Sequence, residues 1–188
     1  MFVEEVPCMA ADMKAQIAQA TWKLLFERQV KKLTVKDIVE ECHITRQAFY
    51  YHFEGIPELL RWMIEGYAEE TFRQVLAKEN AEEGLRCFFV MATNVLPYVK
   101  KGMDSNYGQE VRQLLSQYTQ RFFAMAADIK NFYPNRTLAE VKVILRYHTQ
   151  AVIGMLQEWT PEDTNQMDQI VHTVYQLVME GIPVKEQT

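Results

Sequence analysis

The 188-residue chain has little glycine, proline or cysteine and no surplus of positive charge. Seven glycines and six prolines are few, which disfavours a turn-rich all-β fold and favours long helices. The three cysteines Cys8, Cys42 and Cys87 are odd in number and lack metal-binding spacing, which argues against zinc and for a reducing cytoplasm. No uncharged run approaches the ~18–20 residues of a membrane span, and no signal peptide is recognisable.

Signatures of catalysis are also missing from the sequence. There is no GxSxG nucleophile motif, no HExxH zinc motif and no glycine-rich phosphate loop. We therefore expect no catalytic residue, no metal site and no cofactor, and an enzyme is the least favoured class of function.

The charge of the chain is unevenly distributed. A net charge of −5 argues against nucleic-acid binding by the chain taken whole, but residues 13–53 carry seven Lys or Arg against four acids. This local excess predicts a modest, salt-sensitive attraction to DNA that requires two copies of the segment.

Within that basic segment, Leu33–Phe53 has the pattern of two short helices joined by a tight turn. Thr34 is a good N-cap for the first helix, and Asp37 three residues later completes a capping-box pattern. Thr45 is a cap for the second helix, on which Phe49 and Phe53 share one face. Two short helices around a brief turn, the second rich in donors and aromatics, indicate a helix-turn-helix.

The run Thr-Val-x-Asp-Ile-Val-x-x-Cys-x-Ile-Thr-x-x-x-Phe-Tyr-Tyr-His-Phe resembles the N-terminal domain of the TetR/AcrR family of transcriptional regulators, over roughly Lys14 to Leu60. The resemblance implies an all-α fold with a three-helix DNA-binding domain in residues 1–55. It also implies a helical ligand-binding and dimerisation domain in residues 56–188.

Two positions depart from the family pattern. His43 stands in the turn where the family usually has glycine, and such a position often needs a positive φ. Ile56 replaces the usual phosphate-binding lysine after the second helix, and Glu54 adds a negative charge beside it. The apolar Ile56 and the negatively charged Glu54 together predict weakened DNA affinity without a change of fold.

The residues expected to contact DNA lie on the second helix and at the two helix starts. Arg46 is suited to guanine and Gln47 to adenine, while hydroxyls, tyrosines and a lysine can reach phosphates or a thymine methyl. The full set is Thr34, Lys36, Thr45, Arg46, Gln47, Tyr50, Tyr51 and His52. The alternative is a solvated helix face, and for His52 it is packing beside Phe49.

The rest of the chain has the apolar spacing of further helices. They are expected at about Asp12–Gln29, Pro57–Lys78, Ala81–Lys100 with a kink or end at Pro97, Ser105–Asn131, Thr137–Trp159 and Asp163–Glu180. The run Tyr147–Leu156 is apolar nearly all round, so the last two helices could pair with their twofold mates in a four-helix bundle. The expected dimer contacts are Tyr147, Ala151, Gly154, Met155, Ile170, Val174 and Leu177. The alternative is an internal core helix.

A ligand pocket in the second domain is implied by the resemblance and only weakly by composition. Its candidate residues are Trp62, Phe88, Met91, Met103, Tyr107, Phe122, Met125 and His148. For each residue alone, core packing is the competing interpretation, and a small apolar or aromatic effector is the expected ligand.

The expected function is a cytoplasmic, homodimeric repressor that binds a pseudo-palindromic double-stranded DNA operator and responds to a ligand. One alternative is a regulator of the same fold that is controlled by a protein partner. Another is a helical interaction protein with weakened DNA binding.

Overall fold

The computed structural model describes residues 13–179, and within them it has nine helices and no strand. The helices are α1 (Met13–Phe26), α2 (Val35–Cys42), α3 (Arg46–His52), α4 (Ile56–Leu76), α5 (Ala81–Met103), α6 (Gly108–Ile129), α7 (Leu138–Gln157), α8 (Pro161–Asn165) and α9 (Met167–Met179). This confirms the predicted all-α class. The sequence also predicts a loose arm at Met1–Ala11 and a helix C-cap at Gly181–Pro183, and both lie outside the described residues.

The described chain divides into two compact units. The head unit comprises the residues up to Met63 together with the separate segment Lys101–Val111. The body unit comprises Ile64–Lys100 and the residues from Arg112 onward. The predicted boundary between residues 55 and 56 stays a prediction.

The head unit has a core of fully buried apolar side chains. Ile17 of α1, Ile38 of α2 and Phe49 of α3 are completely buried, and the Phe49 and Phe53 rings lie 6.0 Å apart. At the edge of this core the Glu41 carboxylate contacts the Lys23 ammonium at 2.8 Å and the Arg28 guanidinium at 2.7 Å.

This three-residue cluster ties α2 to the end of α1. The hydrogen bond from Lys23 and the charge of Arg28 lower the pKa of Glu41, against the opposing effect of burial. The two cations are thereby engaged inside the head and contribute less to its free positive charge.

The body unit is held together by aromatic rings. Phe88 stacks on Phe122 with ring centroids 4.6 Å apart, and Phe72 also stacks on Phe122, at 5.7 Å. Phe89 is fully buried and lies 5.6 Å from the Trp159 ring. Such ring pairs add to the free energy gained by burying their area.

Two predicted helix bounds are wrong. Helix α5 does not end near Lys100: it continues through Pro97 to Met103, because tertiary packing offsets the one backbone hydrogen bond that proline cannot donate. The last predicted helix, Asp163–Glu180, is instead divided into α8 and α9. Thr160 and Asp163 form a capping box with Pro161 in the first turn, which starts a separate short helix.

Among residues 13–179, no helix is long and apolar enough to cross a membrane.

Candidate nucleic-acid interface

Helix α2 begins at the capping box that its sequence predicts. The Thr34 hydroxyl donates to the Asp37 carboxylate at 2.6 Å and accepts from the Asp37 backbone N–H at 3.3 Å. The same carboxylate accepts from the Thr34 backbone N–H at 3.1 Å. The Thr34 hydroxyl is therefore engaged within the head, and its geometry fixes the start of the helix rather than leaving the group free for a phosphate.

The turn between α2 and α3 passes through a residue with left-handed backbone geometry. His43 has φ 56° and ψ 40°, which confirms the prediction of a positive φ at this position. Its N–H donates to Glu40 O, and the next N–H, of Ile44, donates to Val39 O at 3.0 Å. These bonds close the end of α2 and turn the chain sharply into α3.

Helix α3 presents one polar and aromatic face to solvent. Thr45 caps it by accepting from the Ala48 N–H at 3.1 Å, while Phe49 anchors the opposite face in the core. The exposed residues are Thr45, Arg46, Gln47, Tyr50 and Tyr51, and we call them the α3 face. Arg46 makes no ion pair with any residue between 13 and 179, so its guanidinium is available to an external acceptor.

The two remaining DNA candidates lie beside the α3 face. His52 is half-buried and meets the Tyr51 ring edge-on at 5.0 Å, so it packs beside Tyr51 rather than beside Phe49. Lys36 on α2 is exposed, and its ammonium is only loosely paired with the Glu40 carboxylate at 3.8 Å. Both Lys31 and Lys32 before α2 are exposed as well.

The departure at Ile56 has a structural reason. Its side chain is only 2% exposed, so this position contributes to the head core rather than to the surface. Beside it, the Glu54 N–H donates to the Glu58 carboxylate at 2.5 Å, so a negative charge caps the start of α4. The positive charge that faces DNA must therefore come from α2, α3 and the residues before α2.

Sequence reasoning missed two residues that complete the head, one at the end of α5 and one in the α5–α6 turn. The Asn106 side chain hydrogen-bonds the backbone of Leu33, just before α2, and the Lys101 ammonium donates to Phe26 O at 3.3 Å at the end of α1. Both residues are more than 70 positions from their partners, and no local pattern signals such a contact.

On the body unit, α7 exposes an apolar stripe in the single chain. Val143 and Tyr147 are each more than 60% exposed, Ala151 is also exposed, and a Cβ added to Gly154 would meet nothing within 4 Å. These four residues follow one another along one side of the helix, and we call them the α7 stripe.

The other predicted dimer residues are placed differently. Leu177 on α9 is exposed, whereas Met155 and Ile170 are half-buried against the body core. Val174 is only 6% exposed and belongs to that core. The structure thus places Tyr147 and Ala151 exposed on α7 and Leu177 exposed on α9, and it assigns Val174 to internal packing.

A small cavity of about 60 Å³ lies in the body unit among the ends of α4 and α6, the start of α5, and α7 and α9. Of the predicted ligand residues, Phe122 and His148 line it. The others do not: Phe88 and Met125 pack in the core, Met91 is half-buried on α5, and Trp62, Met103 and Tyr107 belong to the head unit.

Two titratable side chains that line the cavity favour their uncharged forms. Burial lowers the pKa of His148 and raises the pKa of Tyr133, so both groups favour their neutral forms. Lys130 is engaged, since its ammonium donates to Lys78 O at 3.0 Å and to Glu79 O at 3.1 Å. Next to His148, the Thr149 hydroxyl is buried and has no hydrogen-bond partner in the described part of the chain.

Between residues 13 and 179, no three His, Cys, Asp or Glu side chains are grouped so that they could hold a metal ion. Cys42 and Cys87 are free thiols, and burial raises the pKa of Cys42 to about 11.

By sequence, residues 17–62 match the family of bacterial regulatory proteins called the tetR family. The HTH-type transcriptional regulator TtgR of Pseudomonas putida is 31% identical to this chain over 74 residues. That alignment spans 39% of this chain and about a third, 35%, of TtgR.

By fold, the similarity extends along most of the chain. The TetR-family repressor FadR of Thermus thermophilus, solved in complex with lauroyl-CoA, has a TM-score of 0.61 at 17% identity, with 93% of this chain and 97% of that chain covered. The fatty acid degradation regulator FadR of Bacillus halodurans has a TM-score of 0.59 at 14% identity, with 90% and 99% covered.

Residues 17–62, with their capped helix-turn-helix, thus have the sequence and the local structure of a DNA-binding domain of bacterial transcriptional regulators. The matched segment is similar to the corresponding part of the tetR family.

Proposed function

We propose that the protein is a homodimeric repressor that binds a pseudo-palindromic operator and releases it when a small effector binds the body unit. The α3 face carries this proposal, because a short capped helix exposes together a glutamine, two tyrosines and an arginine that has no ion pair within residues 13–179. Arg forks to guanine and Gln to adenine in the major groove, while Tyr and Thr hydroxyls contact phosphates. Such a regulator acts on DNA in the cytoplasm.

A dimer is proposed because one head has too little positive charge to bind DNA tightly. Two of the seven basic residues in 13–53 are engaged by Glu41, which leaves a weak field around the α3 face. Pairing two chains through the α7 stripe would bury exposed apolar area and present two α3 helices to successive half-sites.

Selection from fragmented genomic DNA with the purified full-length protein tests the proposal. We expect enrichment of fragments that share a two-fold-related sequence, and an affinity that falls steeply with salt. Enrichment of no sequence, together with salt-independent or absent duplex binding, would contradict it and favour a helical interaction protein.

A small apolar or aromatic effector is favoured by the cavity in the body unit. Its walls include Leu85, Phe122 and Phe123, with His148 as a polar group among them. A cavity of about 60 Å³ holds only a few atoms, so a larger effector must widen it. A ligand that binds only the widened state shifts the population towards it.

Thermus thermophilus FadR was solved with lauroyl-CoA, so lauroyl-CoA and laurate are reasonable first probes of the apolar cavity. Release of the selected DNA by either probe, at a concentration where CoA alone has no effect, would support a small-molecule effector. A regulator controlled by a protein partner is the second candidate, and the exposed α7 stripe is the observation that favours it.

A further inference from the structure

The turn between α5 and α6 holds the backbone just before α2 through one side chain. Asn106 Oδ1 accepts from the Leu33 N–H at 2.9 Å, and Asn106 Nδ2 donates to the Leu33 carbonyl at 3.4 Å. Leu33 is 1% exposed and precedes Thr34, which caps α2. One amide thus pairs with both backbone groups of a buried residue 73 positions earlier, and we call this pair of bonds the Asn106 clasp.

The turn that carries Asn106 is itself closely fixed. The Ser105 hydroxyl donates to Gly102 O at 2.7 Å and accepts from the Tyr107 N–H at 3.2 Å. Gly108 closes the turn, because a Cβ at that position would clash with the Met103 carbonyl. A side chain held by such a turn loses little further freedom when it forms its hydrogen bonds.

A second contact from the same segment reaches the other end of the α1–α2 connection. The Lys101 ammonium donates to Phe26 O at 3.3 Å, where a cation is favoured by the exposed carbonyls of a helix C-terminus. The segment Lys101–Val111 therefore fixes the connection at its start, residue 26, and at its end, residue 33.

We propose that Asn106 is a positioning residue for operator recognition. By holding Leu33, it sets where α2 starts, and α2 supports α3 through the closed turn at His43. Operator affinity then depends on the conformation of the α5–α6 turn, although no residue of that turn is among the groups proposed to touch DNA. The inference rests on the proposed DNA-binding function and adds to it a residue, Asn106, that controls operator affinity without touching DNA.

The test compares full-length Asn106→Ala with Asn94→Ala, which removes an exposed asparagine from α5. In Asn106→Ala we expect faster hydrogen exchange at the Leu33 amide and roughly three- to tenfold weaker binding to the selected operator. Non-specific duplex binding at low salt should be unchanged, because the cations that contact phosphates remain. Asn94→Ala should match the wild type in all three measurements.

The ratio of operator binding to non-specific binding separates positioning from general stability. A destabilised protein would lose both kinds of binding equally, and that result overturns the inference. Unchanged operator affinity despite faster Leu33 exchange overturns it as well.

Asn106→Asp gives a second route if the alanine variant does not fold. Aspartate keeps the acceptor for the Leu33 N–H but cannot donate to the Leu33 carbonyl. We therefore expect hydrogen exchange at the Leu33 amide to stay slow, and operator affinity to fall clearly below that of the wild type. Wild-type affinity in this variant would contradict the inference. If the wild type itself selects no DNA, the proposed function and this inference both fail, whereas the Leu33 exchange, measured without DNA, still reports whether the clasp forms.

Discussion

Helices α3 and α7 each expose most of one face, and the two faces have opposite chemistry. The α3 face carries an arginine, a glutamine, a threonine and two tyrosines, and Tyr51 is 85% exposed. The α7 stripe carries valine, tyrosine, alanine and glycine, with Tyr147 63% exposed. The α3 face can donate hydrogen bonds to a partner, whereas the α7 stripe lets a second apolar surface approach closely.

The difference indicates what each face is expected to bind. Isolated exposed apolar residues are common, but a continuous apolar row on one helix marks an interaction surface. A row of donors and aromatics on a short, firmly capped helix suits base edges and phosphates. If this comparison is correct, changes on α7 should affect DNA binding only through assembly, and changes on α3 should affect it directly.

The largest effect is expected from Tyr147→Glu in the α7 stripe. A carboxylate buried without a partner in an apolar interface is strongly unfavourable, and the two copies in a dimer would also repel each other. We expect a monomer at micromolar concentration by analytical ultracentrifugation. Operator affinity should fall about 100-fold or more, because the avidity of two linked heads is lost.

Gln117→Glu is the matched control for that change, since it adds the same charge at an exposed position on α6. It should leave both the assembly state and operator binding as in the wild type. A Tyr147→Glu protein that remains dimeric would remove α7 from the proposed interface.

A smaller but more specific effect is expected from Arg46→Ala on the α3 face. Loss of a bidentate contact to a base should weaken operator binding by roughly 1–3 kcal/mol and relax base preference at one position of each half-site. Repeated fragment selection with the variant measures both quantities. Arg61→Ala, which removes an exposed arginine from α4, should change neither, and unchanged selectivity in Arg46→Ala would exclude Arg46 as a base reader.

The smallest effect concerns the turn that presents α3. His43→Gly should raise the free energy of unfolding by about 1 kcal/mol, since glycine adopts the positive φ of this position without steric strain. His43→Ala keeps a Cβ at the same φ and should bring no gain. Urea unfolding of the two variants beside the wild type gives the comparison, and equal stability of all three would show that the turn is unstrained.

Local sequence patterns predicted the parts of the head that depend on near neighbours. The capping box of Thr34 and Asp37, the cap at Thr45 and the positive φ of His43 are all confirmed. On the body, the Thr-x-x-Glu pattern of Thr137 and Glu140 likewise predicts a capping box, which the structure contains. Each cap joins groups three residues apart, so its physical cause is visible in a short stretch of sequence, whereas the positive φ of His43 was predicted from the glycine usual at this position in the resembling family.

Contacts between distant segments could not be predicted in the same way. Nothing near Asn106 indicates that its amide holds Leu33, and nothing near Pro97 indicates that packing carries α5 past it. Apolar periodicity places a residue on a buried or exposed side, but it does not distinguish a cavity wall from a solid core. Phe122 lines the cavity, whereas Phe88 packs beside it, although both are phenylalanines at apolar positions of their helices.

The Asn106 clasp also bears on how such a regulator can change its target over time. The clasp binds the N–H and carbonyl of residue 33, which every amino acid except proline supplies, and it makes no demand on the side chain at that position. Substitutions on the α3 face can therefore accumulate without disturbing the link to the α5–α6 turn. We therefore expect that the sequence preference of the α3 face can change while the attachment of Leu33 to the α5–α6 turn stays intact.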